Sequence, residues 1–254
     1  MKKIIAFLLI VATLVCGLVG CTTPTTPENP GVDPNAKSEG VMTYAEYDAA
    51  ELKSAVVIEA FVQAKQGWWA DKATVYLQDG NGGYLAYNMA CSEADYAKLT
   101  LGAKIKVTGT KDAWEGEVEI VDATFELAGN DTWVATAADM TAVLGTDDLI
   151  KNQNKLVSFK GMKIEASKDA DGNDVAFLRN WDGSGAEGDD SDLYFKASVN
   201  GATYTFVIEY YLTGADSDAY KAVEALKVGD TVDMEGFLYW YNGSQPHINK
   251  VTVK

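Results

Sequence analysis

The chain is poor in the residues that most often do chemistry. Its 254 residues include one histidine, His247, one arginine, Arg179, and three cysteines. A nucleophile–base pair would have to be built on His247, and no G-x-S-x-G turn accompanies it. Cysteine and histidine at zinc-ligand spacing are absent, and no pair of carboxylates is singled out by its context. These absences argue against an enzyme and imply no cofactor. Basic side chains are scarce as well, 21 against 37 acidic ones, for a net charge of −16. Nucleic-acid binding draws much of its affinity from Lys and Arg on phosphates. A polyanion would therefore need a local strip, for which Lys65, Lys72, Lys104, Lys106 and Lys111 are the candidates. Proline is confined: four of five lie within residues 22–40, where almost nothing is apolar. Residues 21–40 read as a disordered, partly extended tether.

Two of the three cysteines sit close to the N-terminus. Met1-Lys2-Lys3 is a basic start, residues 4–15 are almost wholly apolar, and Leu18-Val19-Gly20-Cys21 follows. That pattern is an export signal over residues 1–20 and is short for a membrane span. Leu18-Val19-Gly20-Cys21 resembles the lipobox of bacterial lipoproteins. The resemblance implies cleavage before Cys21, acylation of its sulfur by palmitate-type chains, and a lipid-anchored protein outside the cytoplasm, on a cell membrane or outer surface. Cys91 then remains alone in the mature chain, so an internal disulfide is excluded, and it reads as a small buried apolar residue.

What the chain does have is a repeat. Leu99-Thr100-Leu101-Gly102-Ala103-Lys104-Ile105-Lys106-Val107-Thr108-Gly109 returns as Leu226-Lys227-Val228-Gly229-Asp230-Thr231-Val232-Asp233-Met234-Glu235-Gly236. The leucine and both glycines are identical, and three further positions exchange one aliphatic-type residue for another. In each copy the first glycine is expected to end a helix and the second to end a strand.

Around the first copy, Val56, Ile58, Ala60, Val62 and Ala64 alternate with less apolar neighbours, which predicts a strand with those residues inward. Residues 74–78 and 84–89 are strands joined by Asp79-Gly80-Asn81-Gly82-Gly83, a hairpin turn. Ser92, with Asp95 three residues on, caps a short helix. The repeated stretch is a fourth strand, with Ile105 and Val107 inward, and residues 118–127 a fifth. The second copy repeats this plan, with strands at 155–164, 175–179, 193–198 and 204–211, a helix at 217–226, and closing strands at 237–240 and 247–253. The interval Val56–Val157 is shorter than Leu99–Leu226, so the second copy carries an insertion before its helix, around 182–192 and 200–218. Residues 129–154 link the copies and include a short helix at 137–144.

Three strands, a short helix and two closing strands resemble the OB-fold, the oligonucleotide/oligosaccharide-binding barrel. The residues carrying the resemblance are the helix-to-strand Leu-x-x-Gly, the Val107-Thr108-Gly109 segment, and Glu119-Ile120-Val121-Asp122-Ala123, answered by His247-Ile248-Asn249. The expected architecture is all-β, two tandem OB-like five-stranded barrels over residues 43–128 and 155–254.

Gly183-Ser184-Gly185-Ala186-Glu187-Gly188 matches a dinucleotide pattern, but acidic residues and a strand follow it instead of a helix, so it reads as a connection. Asp169, Asp171, Asn173 and Asp174 miss the calcium-loop spacing, with Gly172 two positions early and Asn180 where glutamate belongs, and read as a turn. The acidic loop 182–192 is a looser calcium candidate, with a solvated insertion as its alternative. The aromatics are the stronger signal. The resemblance places binding on strands two and three and their loops, where aromatics stack on bases or sugars. Trp68, Trp69, Tyr76, Tyr84 and Trp114 in the first copy, and Trp181, Trp240 and Tyr241 in the second, are the candidate ligand contacts; core packing is the alternative for each. The expected function is non-catalytic binding of an oligosaccharide or single-stranded nucleic acid, with a protein–protein adaptor or spacer as the other reading.

Overall fold

The computed structural model describes residues 31–254; the export signal, Cys21 and residues 22–30 of the expected tether lie outside the described residues. Residues 31–40 correct the tether reading, because they pack on the first barrel. Lys37 Nζ lies 2.6 Å from Asp79 Oδ2, with both side chains enclosed, and Ser38 N–H donates to Glu59 Oε2. A buried carboxylate needs a cation, and this segment supplies it. Helix α1 (Tyr44–Ala49) follows, its end closed by a reciprocal capping box between Thr43 and Glu46.

The first barrel comprises β1 (Ala55–Lys65), β2 (Lys72–Gln78), β3 (Gly83–Ala90), α2 (Glu93–Tyr96), β4 (Ala103–Trp114) and β5 (Glu117–Thr132). Its strands close in the order β1-β2-β3-β5-β4, with β4 returning to β1. Ser92 Oγ caps α2 by accepting the Asp95 N–H. Val56, Ile58, Ala60, Val62, Ile105 and Val107 point inward and are fully buried. β1 is covered on its outer face too: Phe61 packs on Trp133, and Glu59 pairs with Lys104. Alternation therefore marks only one of its two buried faces.

Beyond β5, the helix expected at 137–144 is instead a two-residue strand, β6 (Ala138–Asp139), and a 3₁₀ turn, Thr141–Val143. β6 runs parallel to β7 (Leu156–Glu165), and that pairing takes the backbone groups a helix would have used. β8 (Ser167–Lys168) and β9 (Asp174–Val175) form a separate hairpin whose turn is organised by Asp169. β10 (Phe177–Arg179) follows, then β11 (Leu193–Val199), β12 (Ala202–Ile208), α3 (Tyr210–Thr213), α4 (Asp218–Glu224), β13 (Thr231–Phe237) and β14 (His247–Val253). The second barrel closes as β7-β11-β12-β14-β13, with β13 returning to β7. This is the strand order of the first barrel, and the chain is a tandem OB-like, mostly β protein.

Three strand assignments change, the simplest being that the closing strand expected at 237–240 is absent, because β13 ends at Phe237 and Leu238-Tyr239 lead into the connection to β14. The second barrel strand is β11 and not residues 175–179, because Leu193, Phe195 and Ala197 enter the core while Phe177–Arg179 stay half-buried on the edge of β11. The strand expected to run to Tyr211 stops at Ile208, and Glu209 turns the chain into α3.

The first glycine of each copy has the work expected and the second does not. Gly102 and Gly229 take left-handed φ values of 82° and 96° at the exit from the helical turn. Gly109 and Gly236 do not end strands; they lie inside β4 and β13, beside irregularities in the pairing with β5 and β14. A Cβ on Gly109 would come within 2.7 Å of Ile120 Cγ2 and 2.8 Å of Val121 O. Glycine there lets the fourth strand bend over the fifth as the barrel closes.

The barrels are joined by a closed seam. The Tyr76 ring stacks on Phe237 at 4.3 Å, and both are fully buried. Leu156 N–H donates to Gln78 Oε1, Trp240 N–H to Glu117 Oε2, and Asn242 N–H to Glu115 O.

Candidate ligand-binding site

The seam disposes of two expected ligand contacts. Tyr76 is buried against barrel two, so the outer face of β2 is an interface and not a ligand face. Tyr84 is buried in barrel one, where its hydroxyl donates to Asp79 Oδ2 and its ring packs edge-on against Tyr44 and Tyr47. Tyr76 faces outward beneath barrel two, whereas Tyr84, the cross-strand partner of the inward Leu77, faces the core of barrel one. Trp68 is half-buried, its indole N–H donating to Cys91 O. Trp240 is half-buried against Gly116, where a Cβ would lie 2.7 Å from its ring. Trp114 is exposed at the β4–β5 turn. Trp69, Trp181 and Tyr241 remain as exposed rings in clefts.

Trp181 and Tyr241 open a cleft of about 580 Å³ on barrel two, completed by Asp192, Tyr194, Glu209, Tyr239, Gln245 and His247. Four elements build it. The insertion after β10 brings Trp181; the start of β11 brings Asp192 and Tyr194; the end of β12 brings Glu209; the β13–β14 connection brings the rest. Tyr239 stacks on His247 with ring centroids 4.1 Å apart, which fixes the floor. His247 Nδ1 is 3.1 Å from Glu209 Oε2 and 3.0 Å from Tyr76 Oη. The hydrogen bond at Nδ1 is the one with the Tyr76 hydroxyl; Glu209 Oε2, though close, has no hydrogen-bond partner among the described residues. Glu209 Oε1 accepts from Gln66 Nε2 of barrel one at 2.5 Å, so the first barrel helps orient a carboxylate in the cleft of the second.

Asp192 Oδ1 accepts the Tyr210 N–H. Burial nevertheless raises its carboxyl above the ordinary range, and the nearby Glu209 charge adds to the rise. The Tyr194 hydroxyl is pushed up to about 12, by burial first and then by Asp192 and Glu209. It stays protonated and able to donate at neutral pH. The cleft therefore offers flat aromatic walls, two carboxylates, an amide and phenolic hydroxyls. Neither lysine nor arginine is among its lining residues.

The lysine strip does not assemble. Lys111 is buried, its ammonium donating to the carbonyls of Tyr47, Asp48 and Ala50. Lys104 pairs with Glu59, Lys106 with Glu126, and Lys65 is bound to Tyr96 O over the Tyr96 ring. Of the five, Lys72 is the one whose ammonium has no partner among the described residues. Periodicity spoke to which strands these lysines occupy, not to the carboxylates and carbonyls that consume them.

Asp192, Tyr194, Glu209 and Tyr239 were missed in the sequence. Asp192 was visible only as part of an acidic loop. Glu209 and Tyr239 gain their meaning from contacts across the seam, which leave no local pattern.

The fold is that of a tandem OB-like, mostly β protein with a cleft on its second barrel. No family model matches the chain, and no curated protein matches it. Solved structures of similar strand arrangement include the Ifi202 HINa domain in complex with 20-bp dsDNA, at 12% identity and a TM-score of 0.35, covering 79% of this chain and 98% of that one. A murine DNA-binding protein bound with dsDNA matches at 10% identity and a TM-score of 0.35, covering 79% and 97%. The p204 HINb domain matches at 9% and 0.34, covering 81% and 99%. Likeness at this level transfers neither ligand nor function.

Proposed function

We propose that this is an exported, lipid-anchored protein that holds an oligosaccharide in the aromatic cleft of its second barrel, without catalysis. The observation that carries the reading is the lining of that cleft, with Trp181, Tyr194, Tyr239 and Tyr241 around Asp192 and Glu209. Sugar rings present apolar faces to aromatic walls and hydroxyls to carboxylates, and they need no neutralising cations. Single-stranded nucleic acid shares the stacking but brings phosphates toward two carboxylates, on a chain of net charge −16. The Leu18-Val19-Gly20-Cys21 motif supports the anchor; Cys21→Ala is expected to abolish incorporation of labelled palmitate and release the protein from membranes.

Tryptophan fluorescence titrations against glycan and oligonucleotide pools test the ligand. A salt-insensitive response to glycan is expected, and Trp181→Ala should weaken it by about 1–3 kcal/mol, the order of one lost stacking contact. A response to oligonucleotide that falls steeply with salt would replace this reading with nucleic-acid binding. Silence from both pools would leave a protein adaptor.

A further inference from the structure

The oligosaccharide reading uses one cleft, but a second lies beside it. We infer that the binding track continues across the seam onto barrel one, so that the ligand is a linear oligosaccharide that engages both barrels at once. The inference rests on the oligosaccharide reading and adds ligand length and a second subsite to it.

The second cleft, of about 300 Å³, is lined by Gln66, Trp69, Lys72, Tyr87 and Asn88 of barrel one and by Tyr211 of barrel two. Its three rings are exposed, Trp69 at 71%, Tyr211 at 60% and Tyr87 at 43%, which is unusual company for aromatics that only fill a fold. Trp69 is also displayed at some cost. It precedes a two-residue turn in which Ala70 and Asp71 both hold left-handed φ values, 48° and 57°, closed by paired backbone bonds between Trp69 and Lys72. Turns of this kind ordinarily use asparagine and glycine. Side chains with a Cβ are strained there, and such strain persists where surrounding structure holds it, commonly at binding sites.

The two clefts share a wall. Glu209 lines the first and Gln66 the second, and the two side chains are hydrogen-bonded to each other at 2.5 Å. Glu209 and Tyr211 are separated by one residue, so the turn into α3 sends one side chain to each cleft. Gly67 N–H donates to Tyr211 O at 2.7 Å and pins that turn to barrel one. Rings therefore continue from Trp69, Tyr87 and Tyr211, over the Gln66–Glu209 bridge, to Tyr239, Tyr241 and Trp181. The ammonium of Lys72, which has no partner among the described residues, stands on the barrel-one side of that bridge and the Asp192 carboxylate on the barrel-two side. This asymmetry gives the track a polarity, and a chain with distinct ends would lie on it in one direction.

The test is affinity against length. Calorimetric titrations with cello-, laminari- and chito-oligosaccharides of increasing length, from disaccharide upward, are run on the wild type, Trp69→Ala and Trp181→Ala. Trp69 is exposed, so its removal leaves the fold intact, and circular dichroism checks this. For the series that binds, wild-type affinity should rise at least tenfold as the chain lengthens past the first cleft. Trp69→Ala should match wild type on the shortest binder and lose that gain, while Trp181→Ala weakens every length. Equal affinity of Trp69→Ala and wild type for the longest member overturns the two-barrel track and leaves the single cleft standing. Absence of binding by all three series to the wild type overturns the oligosaccharide reading and the track with it.

Discussion

Gly83→Ala should drive the two barrels apart while leaving the first one folded. Gly83 opens β3, and a Cβ there would penetrate the backbone of Asn154 and Lys155, which lead into β7. The obstacle is main chain, so no rotamer change relieves it. Overpacking of this type costs about 1–3 kcal/mol where side chains yield; a backbone collision belongs at or above the upper end. The loss falls on the seam, because Leu156 N–H reaches Gln78 Oε1 and Asn154 Nδ2 reaches Val118 O only if this approach is kept. Urea unfolding followed by tryptophan fluorescence should change from one cooperative transition to two, and residues 133–153 should become sensitive to protease. A single transition at the wild-type midpoint would show that the seam tolerates the methyl group. Gly80→Ala is a useful contrast: there the added carbon meets only the side chain of Asn35, which can move.

The seam also explains how far the sequence could be read. The barrels were legible because their determinants are local: apolar alternation in β1 and β4, the Asp79–Gly83 turn, serine caps at 92 and 217, and a glycine after each helical turn. Each acts within a few residues. The site was legible only as a surplus of aromatics. Tyr76 and Trp181 look alike in sequence, each a large ring placed away from the inferred core, yet one stacks on Phe237 inside the seam and the other is 76% exposed. What separates them is which surface of barrel one meets which surface of barrel two. That is decided by contacts between residues as distant as 76 and 247, and no periodicity encodes it. The lysines failed for the same reason. Lys111 sits in a polar-looking strand position but is drawn inward by three carbonyls around α1, and that helix is announced only by the Thr43–Glu46 capping box.

Glu117→Gln should stabilise the protein above neutral pH and change little in acid. Glu117 is completely buried at the start of β5; Oε2 accepts the Trp240 N–H across the seam, and Oε1 has no hydrogen-bond partner. Burial, with the neighbouring charge of Glu119 adding, holds the Glu117 carboxyl well above the usual carboxylate range. The folded state therefore keeps a proton that the unfolded chain releases near pH 4.5, and stability falls as pH rises from that point until the folded group itself ionises. Glutamine retains an acceptor for Trp240 and removes the charge that burial penalises. The expected gain at pH 9 is about 1–3 kcal/mol, the cost of leaving a buried polar group unmade, with parity near pH 4. Glu119, raised to about 7 by burial first and then by Asp112, contributes a separate fall between about pH 4.5 and pH 7. Glu117→Gln should leave that segment of the profile in place and Glu119→Gln should remove it. Urea midpoints for the wild type and both variants between pH 4 and pH 9 decide the matter. If Glu117→Gln runs parallel to the wild type across the whole range, Glu117 is not a proton-holding group of the seam.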